Sequence, residues 1–475
     1  MAAGPDPVDA GPAGDAVNRV VVTGLGAVTP IGLGHREFWA NLVAGRSGEA
    51  PITLFDASAL PTRIAAEVAD FAVSDYWDGP FPAELHADRQ ARFALAACAM
   101  ALADSALTSA GRLLPVDTDR VGLVLGAGLG LVRMTDIANH LDPSGRFALP
   151  SPLAGAAAID PVSLIRDPQD LVVGLLAAHL GVTGPATVVT SACAAGAHAI
   201  GTAFRLIRCG RLDVVLCGAM DSMINPLGMA GLVALGAPST DNLPGRTGRP
   251  FDATRTGFVV GEGAGMVVLE TEAHARARSA PWYAEVAGFG RSLDAHRFTE
   301  PHPAGAGAAL AMRAALADAD VRPEQVQLVN AHGTATLLND RVETIAIKHV
   351  FGSAATDLVV TANKSMTGHL IAACGAVEFI STVLSVRTGT VPPTVNYRHR
   401  DAECDLDYVP GTARQLPVRV ALTNSFGLGG QNGTLVVPPA SNMPPIMAIA
   451  DCTGFTARYR EVTIPLTSRI RAGEV

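Results

Sequence analysis

Lysine is almost absent: Lys348 and Lys364 are the only ones in 475 residues, and the rest of the 35 Lys+Arg residues are arginine. A GC-rich genome produces such a skew by exchanging Lys for Arg. Against that background a retained lysine is informative, because a compact ammonium and a planar guanidinium do different chemistry. Charge of either sign is scarce, at 17%, while 49% of residues are hydrophobic, which excludes a disordered chain. Basic residues are outnumbered, giving a formal net charge of -9, so no nucleic acid is expected as a main partner. No C-x-x-C occurs. The seven cysteines (Cys98, Cys193, Cys209, Cys217, Cys374, Cys404, Cys452) are scattered and odd in number. That argues against a disulfide framework and a zinc site, and for a reducing cytoplasm.

Other signatures are missing too. Residues 1–18 have no basic n-region and read as a flexible leader. Leu171 to Phe204 carries no Asp, Glu, Lys or Arg, but Pro185 interrupts it. It reads as helix, buried strand and helix in a core, and no membrane partner is expected. The glycine-rich turns at Gly24 and Gly126 fail the dinucleotide spacing, since Thr29 and Leu131 stand where the last glycine belongs. There is no phosphate-loop motif and no HExxH, which leaves thiol chemistry with neither cofactor nor metal.

What is present is an alternation. Short apolar runs bounded by glycine (Val20–Val22, Val121–Leu125, Thr187–Thr190, Val214–Cys217, Gly265–Glu270) alternate with Ala/Leu-rich helical stretches such as Arg89–Leu107 and Ala197–Cys209. Runs of this kind predict strands buried on both faces in an α/β fold. The pattern restarts after about Trp282, predicting two similar halves, residues 19–275 and 276–440. Residues 441–475 change texture and are expected to be an unstructured or partner-docking tail.

Four strand ends carry possible chemistry. In Thr187-Val-Val-Thr-Ser-Ala-Cys193-Ala-Ala-Gly196 a strand enters small residues and then a helix. First-turn N–H groups and the helix dipole would favour a reactive thiolate at Cys193. A buried cysteine is equally a small inert hydrophobe, so this segment alone leaves both readings open. His332 in Asn330-Ala-His-Gly-Thr-Ala-Thr336 and His369 in Lys364-Ser-Met-Thr-Gly-His369 follow apolar runs in the other half, where α/β active sites gather. Asn424-Ser-Phe-Gly-Leu-Gly-Gly430 is a further turn, able to offer an oxyanion N–H or to be a plain hairpin bend.

Taken together, these motifs resemble the β-ketoacyl-[acyl-carrier-protein] synthases of the thiolase superfamily, with further matches at Arg249-Pro-Phe-Asp252, Gly257 to Gly265 and Pro392 to Asn396. The resemblance spans about Arg19 to Val437. It implies a five-layered αβαβα core and a dimer, either a homodimer or a heterodimer with a ketosynthase-like chain-length-factor subunit. It implies that Cys193 accepts an acyl chain from the phosphopantetheine arm of an acyl carrier protein. His332 and His369 would then assist decarboxylation of a malonyl thioester, and the enolate would attack the acyl group in fatty-acid or polyketide elongation. Lys364 and Glu378 would support the histidines, and Cys193 and Leu428 would supply the oxyanion-hole N–H groups. Thr299, Thr334, Thr336, Phe426 and Leu428 would contact substrate. Leu428 stands where the family usually has Phe, and Thr256 where it usually has Asp. Leu131 to Asp170 matches poorly. These departures tilt the expectation towards a dissociated polyketide pathway. The alternatives are a non-catalytic chain-length-factor-like subunit and a Cys-His-His acyltransferase that does not decarboxylate. An arginine patch drawn from Arg89, Arg92, Arg205, Arg208 and Arg211 is expected at the pocket mouth to receive an acidic carrier protein.

Overall fold

Ten strands and six helices carry the architecture. In the first half these are β1 (Val20–Thr29), α1 (Arg89–Asp104), β2 (Val121–Ala127), α2 (Pro168–Leu180), β3 (Ala186–Val189), α3 (Ala195–Arg208), β4 (Val214–Ser222) and β5 (Val260–Thr271). The second half repeats them as β6 (Gly288–Leu293), α4 (Ala306–Asp318), β7 (Leu328–Asn330), α5 (Leu337–Phe351), β8 (Val359–Thr361), α6 (Cys374–Thr388), β9 (Ala421–Phe426) and β10 (Gln431–Val437). The computed structural model describes residues 17–82, 85–86, 88–109, 112–113, 116–128 and 168–440. All of these elements belong to the unit that ends at Pro439. The tail, nearly all of the leader and residues 131–167 lie outside the described residues.

The two halves share one topology. The first sheet runs β1-β5-β4-β2-β3 and the second β6-β10-β9-β7-β8, which is the same order. In each sheet the first two pairings are antiparallel and the last two parallel. Helices α1 and α2 cover the outer face of the first sheet, α4 and α5 that of the second, and α3 and α6 lie between the sheets against each other. That is the α/β fold the alternation predicts, in the αβαβα layering that the family resemblance implies.

Burial follows from this layering. Helix α3 turns Ala199, Ile200, Ala203, Phe204 and Ile207 into the middle layer. Helix α6 is buried on every side from Cys374 to Val386, as befits a helix walled in by two sheets and another helix. Among the described residues the run Ile371–Thr388 is the one helix long and apolar enough to cross a membrane, and 83% of it is buried inside the protein.

One expectation needs correction. The strand before Cys193, read as buried on both faces, is β3 at the sheet edge, with Ala186 and Thr187 exposed and Val188 and Val189 half-buried. Val188 and Val189 still pack against the cores on either face of the sheet, but among the described residues the strand's outer backbone edge pairs with no further strand.

Candidate active site

Cys193 is the middle residue of a tight 3-10 turn, Ala192–Ala194, between β3 and α3. Ala192 has φ 47°, a left-handed conformation that turns strand into helix within a residue. The second half repeats the device: Ile371, φ 44°, opens the turn Ile371–Ala373 ahead of α6. These related bends bring two helix N-termini together. A Cβ at Gly196 would lie 2.6 Å from the Ala376 nitrogen, and one at Gly375 2.9 Å from the Ala197 nitrogen, so only glycine allows the contact. Cys374, first in α6, donates its S–H to the Cys193 carbonyl oxygen at 3.4 Å.

Around this junction Cys193 Sγ and one nitrogen each of His332 and His369 lie within 4.8 Å of one another. The two rings stand edge to face, 5.4 Å apart at 84°, and all three side chains are buried. His332 follows β7. Its backbone N–H and that of Gly333 donate to the Glu343 carboxylate at 2.9 and 2.8 Å, and Asn424 Nδ2 donates to the same group at 3.2 Å. His369 is pinned by its N–H to Val259 O (2.7 Å) and by Gly261 N–H to its own carbonyl (2.9 Å). The Phe258 ring lies edge-on to its imidazole at 4.9 Å.

The tautomers follow from the partners. Lys364 Nζ lies 3.2 Å from His332 Nδ1, and the Ile371 N–H donates to His369 Nδ1 at 3.2 Å. Each Nδ1 therefore accepts, and each Nε2 carries the hydrogen. Burial first, then the Lys364 ammonium, holds both imidazoles well below the usual histidine range, so both are neutral donors at pH 7. A thiol and two imidazoles also make a zinc-like ligand set. Here, however, a metal would need each Nε2 lone pair, and each Nδ1–H would then face another donor. The site is built to donate hydrogen bonds.

Lys364 is itself buried. Its Nζ donates to the His332 carbonyl at 2.6 Å and pairs with Glu378 at 2.5 Å. Burial works against the ammonium, but Cys374, Glu378 and Glu343 around it raise its pKa overall. Burial pushes Glu378 and Glu343 up to about 7. Cys193 differs from expectation. Burial pushes its thiol up to about 11, and the opposing pull of Lys364 and of the Leu428 and Cys193 N–H groups is too weak to hold a resting thiolate. Desolvation outweighs the helix N-terminus.

The remaining predicted residues spread outward. The Phe426 ring is 5.7 Å from that of His332. Thr334, buried, bonds Thr336 Oγ1 at 2.9 Å, and half-buried Thr336 caps α5. Thr299 is exposed and follows Phe298, whose carbonyl accepts the Gly429 N–H at 2.7 Å beside Leu428. Thr256, where an Asp was expected, hydrogen-bonds Ser239 at 2.6 Å. Of the five arginines expected at the pocket mouth, four are engaged by other side chains. Arg205 and Arg208 pair with Asp318 at the far end of α3, about 20 Å along the helix from Cys193. Arg89 pairs with buried Glu262, Arg92 lies over the Phe71 ring, and exposed Arg211 follows the far end of α3. Glu343, Asp221, Cys374 and Phe258 are site neighbours that sequence reasoning missed.

The β-ketoacyl synthase N-terminal domain matches residues 17–275 and the C-terminal domain residues 283–398. A 3-oxoacyl-[acyl-carrier-protein] synthase 2 from Synechocystis sp. is 41% identical over 424 residues, covering 88% of this chain and 97% of the relative. One from Coxiella burnetii is 40% identical, covering 88% and 98%. Among solved structures, a ketosynthase/chain length factor of ishigamide superposes with TM-score 0.79 at 34% identity. A type II PKS acyl-carrier protein in complex with its ketosynthase superposes with TM-score 0.78 at 30% identity. Each of these two covers 90% of this chain and 100% of the neighbour. With two halves of the same topology forming one αβαβα sandwich and these two domain matches, the chain belongs to the β-ketoacyl synthase family.

Proposed function

We propose that the protein catalyses decarboxylative condensation of an acyl chain with a malonyl unit, both delivered on the phosphopantetheine arm of an acyl carrier protein. One observation carries this reading: two neutral imidazoles with donor Nε2–H groups beside a single thiol. Cys193 attacks the acyl thioester and forms a covalent acyl-enzyme. The N–H groups of Cys193 and Leu428 meet the developing oxyanion, and the carrier thiol leaves with the proton. The malonyl thioester carbonyl then lies between His332 and His369. Loss of CO2 leaves its electron pair as an enolate, whose oxygen gains charge where both donors point. The enolate carbon attacks the acyl carbonyl, the Cys193 sulfur is expelled, and a β-ketoacyl-carrier protein results. Lys364 and Glu378 orient His332, while Thr299, Thr334, Thr336 and Phe426 line the approach of the arm. No resident cofactor or metal takes part in these steps.

The halves are taken as residues 19–275 and 276–440, with β3 as the pairing edge of a dimer, homomeric or with a chain-length-factor-like subunit. Free thiols at all six described cysteines support a cytoplasmic setting. Intact mass after exposure to acyl-carrier protein tests the loading step: an acyl adduct is expected on the native chain and not on Cys193→Ala. Malonyl-carrier protein should then release CO2 with formation of a C–C product. Acyl transfer without CO2 would replace this reading with a non-decarboxylating acyltransferase.

A further inference from the structure

His369 owes its tautomer to a backbone turn that local preference does not favour. Ile371 sits at φ 44°, a left-handed conformation that is a genuine outlier for a β-branched residue and persists only when its surroundings over-determine it. The bend gives two consecutive amides different acceptors. The Ile371 N–H donates to His369 Nδ1 at 3.2 Å, and the Ala372 N–H donates to Asp221 Oδ2 at 3.0 Å. Asp221 comes from the end of β4, in the other half of the molecule, and is 1% exposed. Ala372 is fully buried, so its N–H has no water to turn to.

We propose that Asp221 is a positioning residue for His369: by holding the Ala372 N–H it keeps Ile371 left-handed and the Ile371 N–H on Nδ1, which keeps the ring hydrogen on Nε2. This rests on the reading of His369 as a donor to the malonyl carbonyl. Without that acceptor, Ile371 is free to relax, its N–H leaves Nδ1, and the imidazole loses the bond that fixes its hydrogen. The role needs an oxygen acceptor rather than a charge. Burial, which pushes Asp221 up to about 7, leaves a neutral form well populated near neutral pH, and its carbonyl oxygen accepts equally. Asparagine should therefore serve in its place.

The test separates the two half-reactions. Enzyme already acylated on Cys193 is mixed with malonyl-carrier protein for a single turnover, and loading of Cys193 is timed separately by intact mass. Asp221→Ala is expected to slow the condensing turnover about 100-fold, the scale of a misplaced catalytic group, while loading changes less than about threefold. Asp221→Asn should restore condensation to within about threefold of the native rate. Nitrogen-15 shifts of His369 report the tautomer independently of activity, and should show Nε2–H in the native and Asn proteins and a mixed population in the Ala protein. If Asp221→Ala does not fold, the Asn variant decides: condensation slowed more than about tenfold overturns the proposal. So do equal losses in both half-reactions, or an unchanged His369 tautomer in a folded Ala variant. Failure of the native enzyme to release CO2 would instead remove the functional reading.

Discussion

Lys364 Nζ lies 3.2 Å from His332 Nδ1, and this contact decides which end of the imidazole donates. Lys364→Ala is expected to lower single-turnover condensation about 100-fold, the cost of a lost or misdirected donor in such a site. The pH profile should move as well. Lys364 depresses the His332 pKa, so its removal lets the ring protonate at higher pH, and the acid limb of the condensation rate shifts upward. Lys364→Arg should not rescue, because a planar guanidinium cannot replace an ammonium lodged among His332, Glu378 and Cys374.

Cys193 should react as a thiol that ionises only far above neutrality. Burial places its pKa at about 11, so the thiolate fraction, and with it the rate of iodoacetamide inactivation, should rise about tenfold per pH unit from pH 7 towards 10. Lys364 is among the groups that lower this pKa, so Lys364→Met should slow alkylation at every pH in that range. A native rate that levels off below pH 8 would show a stabilised thiolate and defeat the account.

The sheet was legible in the sequence because its inner strands are β-branched runs bounded by glycine, and β4 and β5 are buried along almost their whole length. Cys193, His332 and His369 were legible because each follows a strand into small residues. Glu343 was not, although it lies on the inward face of α5 one turn past Asp340. An acid within a helix looks like a solvated charge until tertiary packing buries it. Asp221 at a strand end had the same disguise. Arg205 was misassigned for a reason the sequence did contain: a helix that begins beside Cys193 carries its last turn away from it at about 1.5 Å per residue. The thiolate expectation failed because a helix dipole is a local term, while desolvation depends on everything packed above the sulfur.

Leu428 stands where the family usually has Phe, in the turn that runs Gly427–Gly430 beside the exposed Phe298–Thr299 segment. Its backbone N–H serves Cys193 whatever the side chain, so Leu428→Phe should leave loading of short acyl chains within about twofold. A larger, stiffer ring at this turn should slow long or branched chains by roughly tenfold, the scale of one to two kcal/mol of steric misfit in an apolar pocket. Intact-mass time courses with a series of acyl-carrier proteins read both effects. An unchanged chain-length profile would mean that this side chain does not gate entry.

The contact between the two central helices gives the most direct test of the repeated design. A methyl at Gly196 would stand 2.6 Å from the Ala376 nitrogen and 3.2 Å from the Ala372 carbonyl. Neither neighbour has room to give way, since Ala372 in the preceding turn and α6 from Cys374 to Val386 are buried. Gly196→Ala should therefore destabilise the protein by roughly 1–3 kcal/mol, as overpacking does, and slow Cys193 loading by shifting the α3 N-terminus that carries the nucleophile. Gly231 provides the opposite case. It lies within the helix Pro226–Ala234, and an added Cβ meets nothing within 4 Å. There the same substitution removes only backbone freedom and should stabilise by up to about 1 kcal/mol. Thermal unfolding of the two variants should move the midpoint in opposite directions. A Gly196→Ala protein that melts at or above the native temperature would mean that the two helix N-termini are not in close contact, and that Cys193 is not held against the second half in this way.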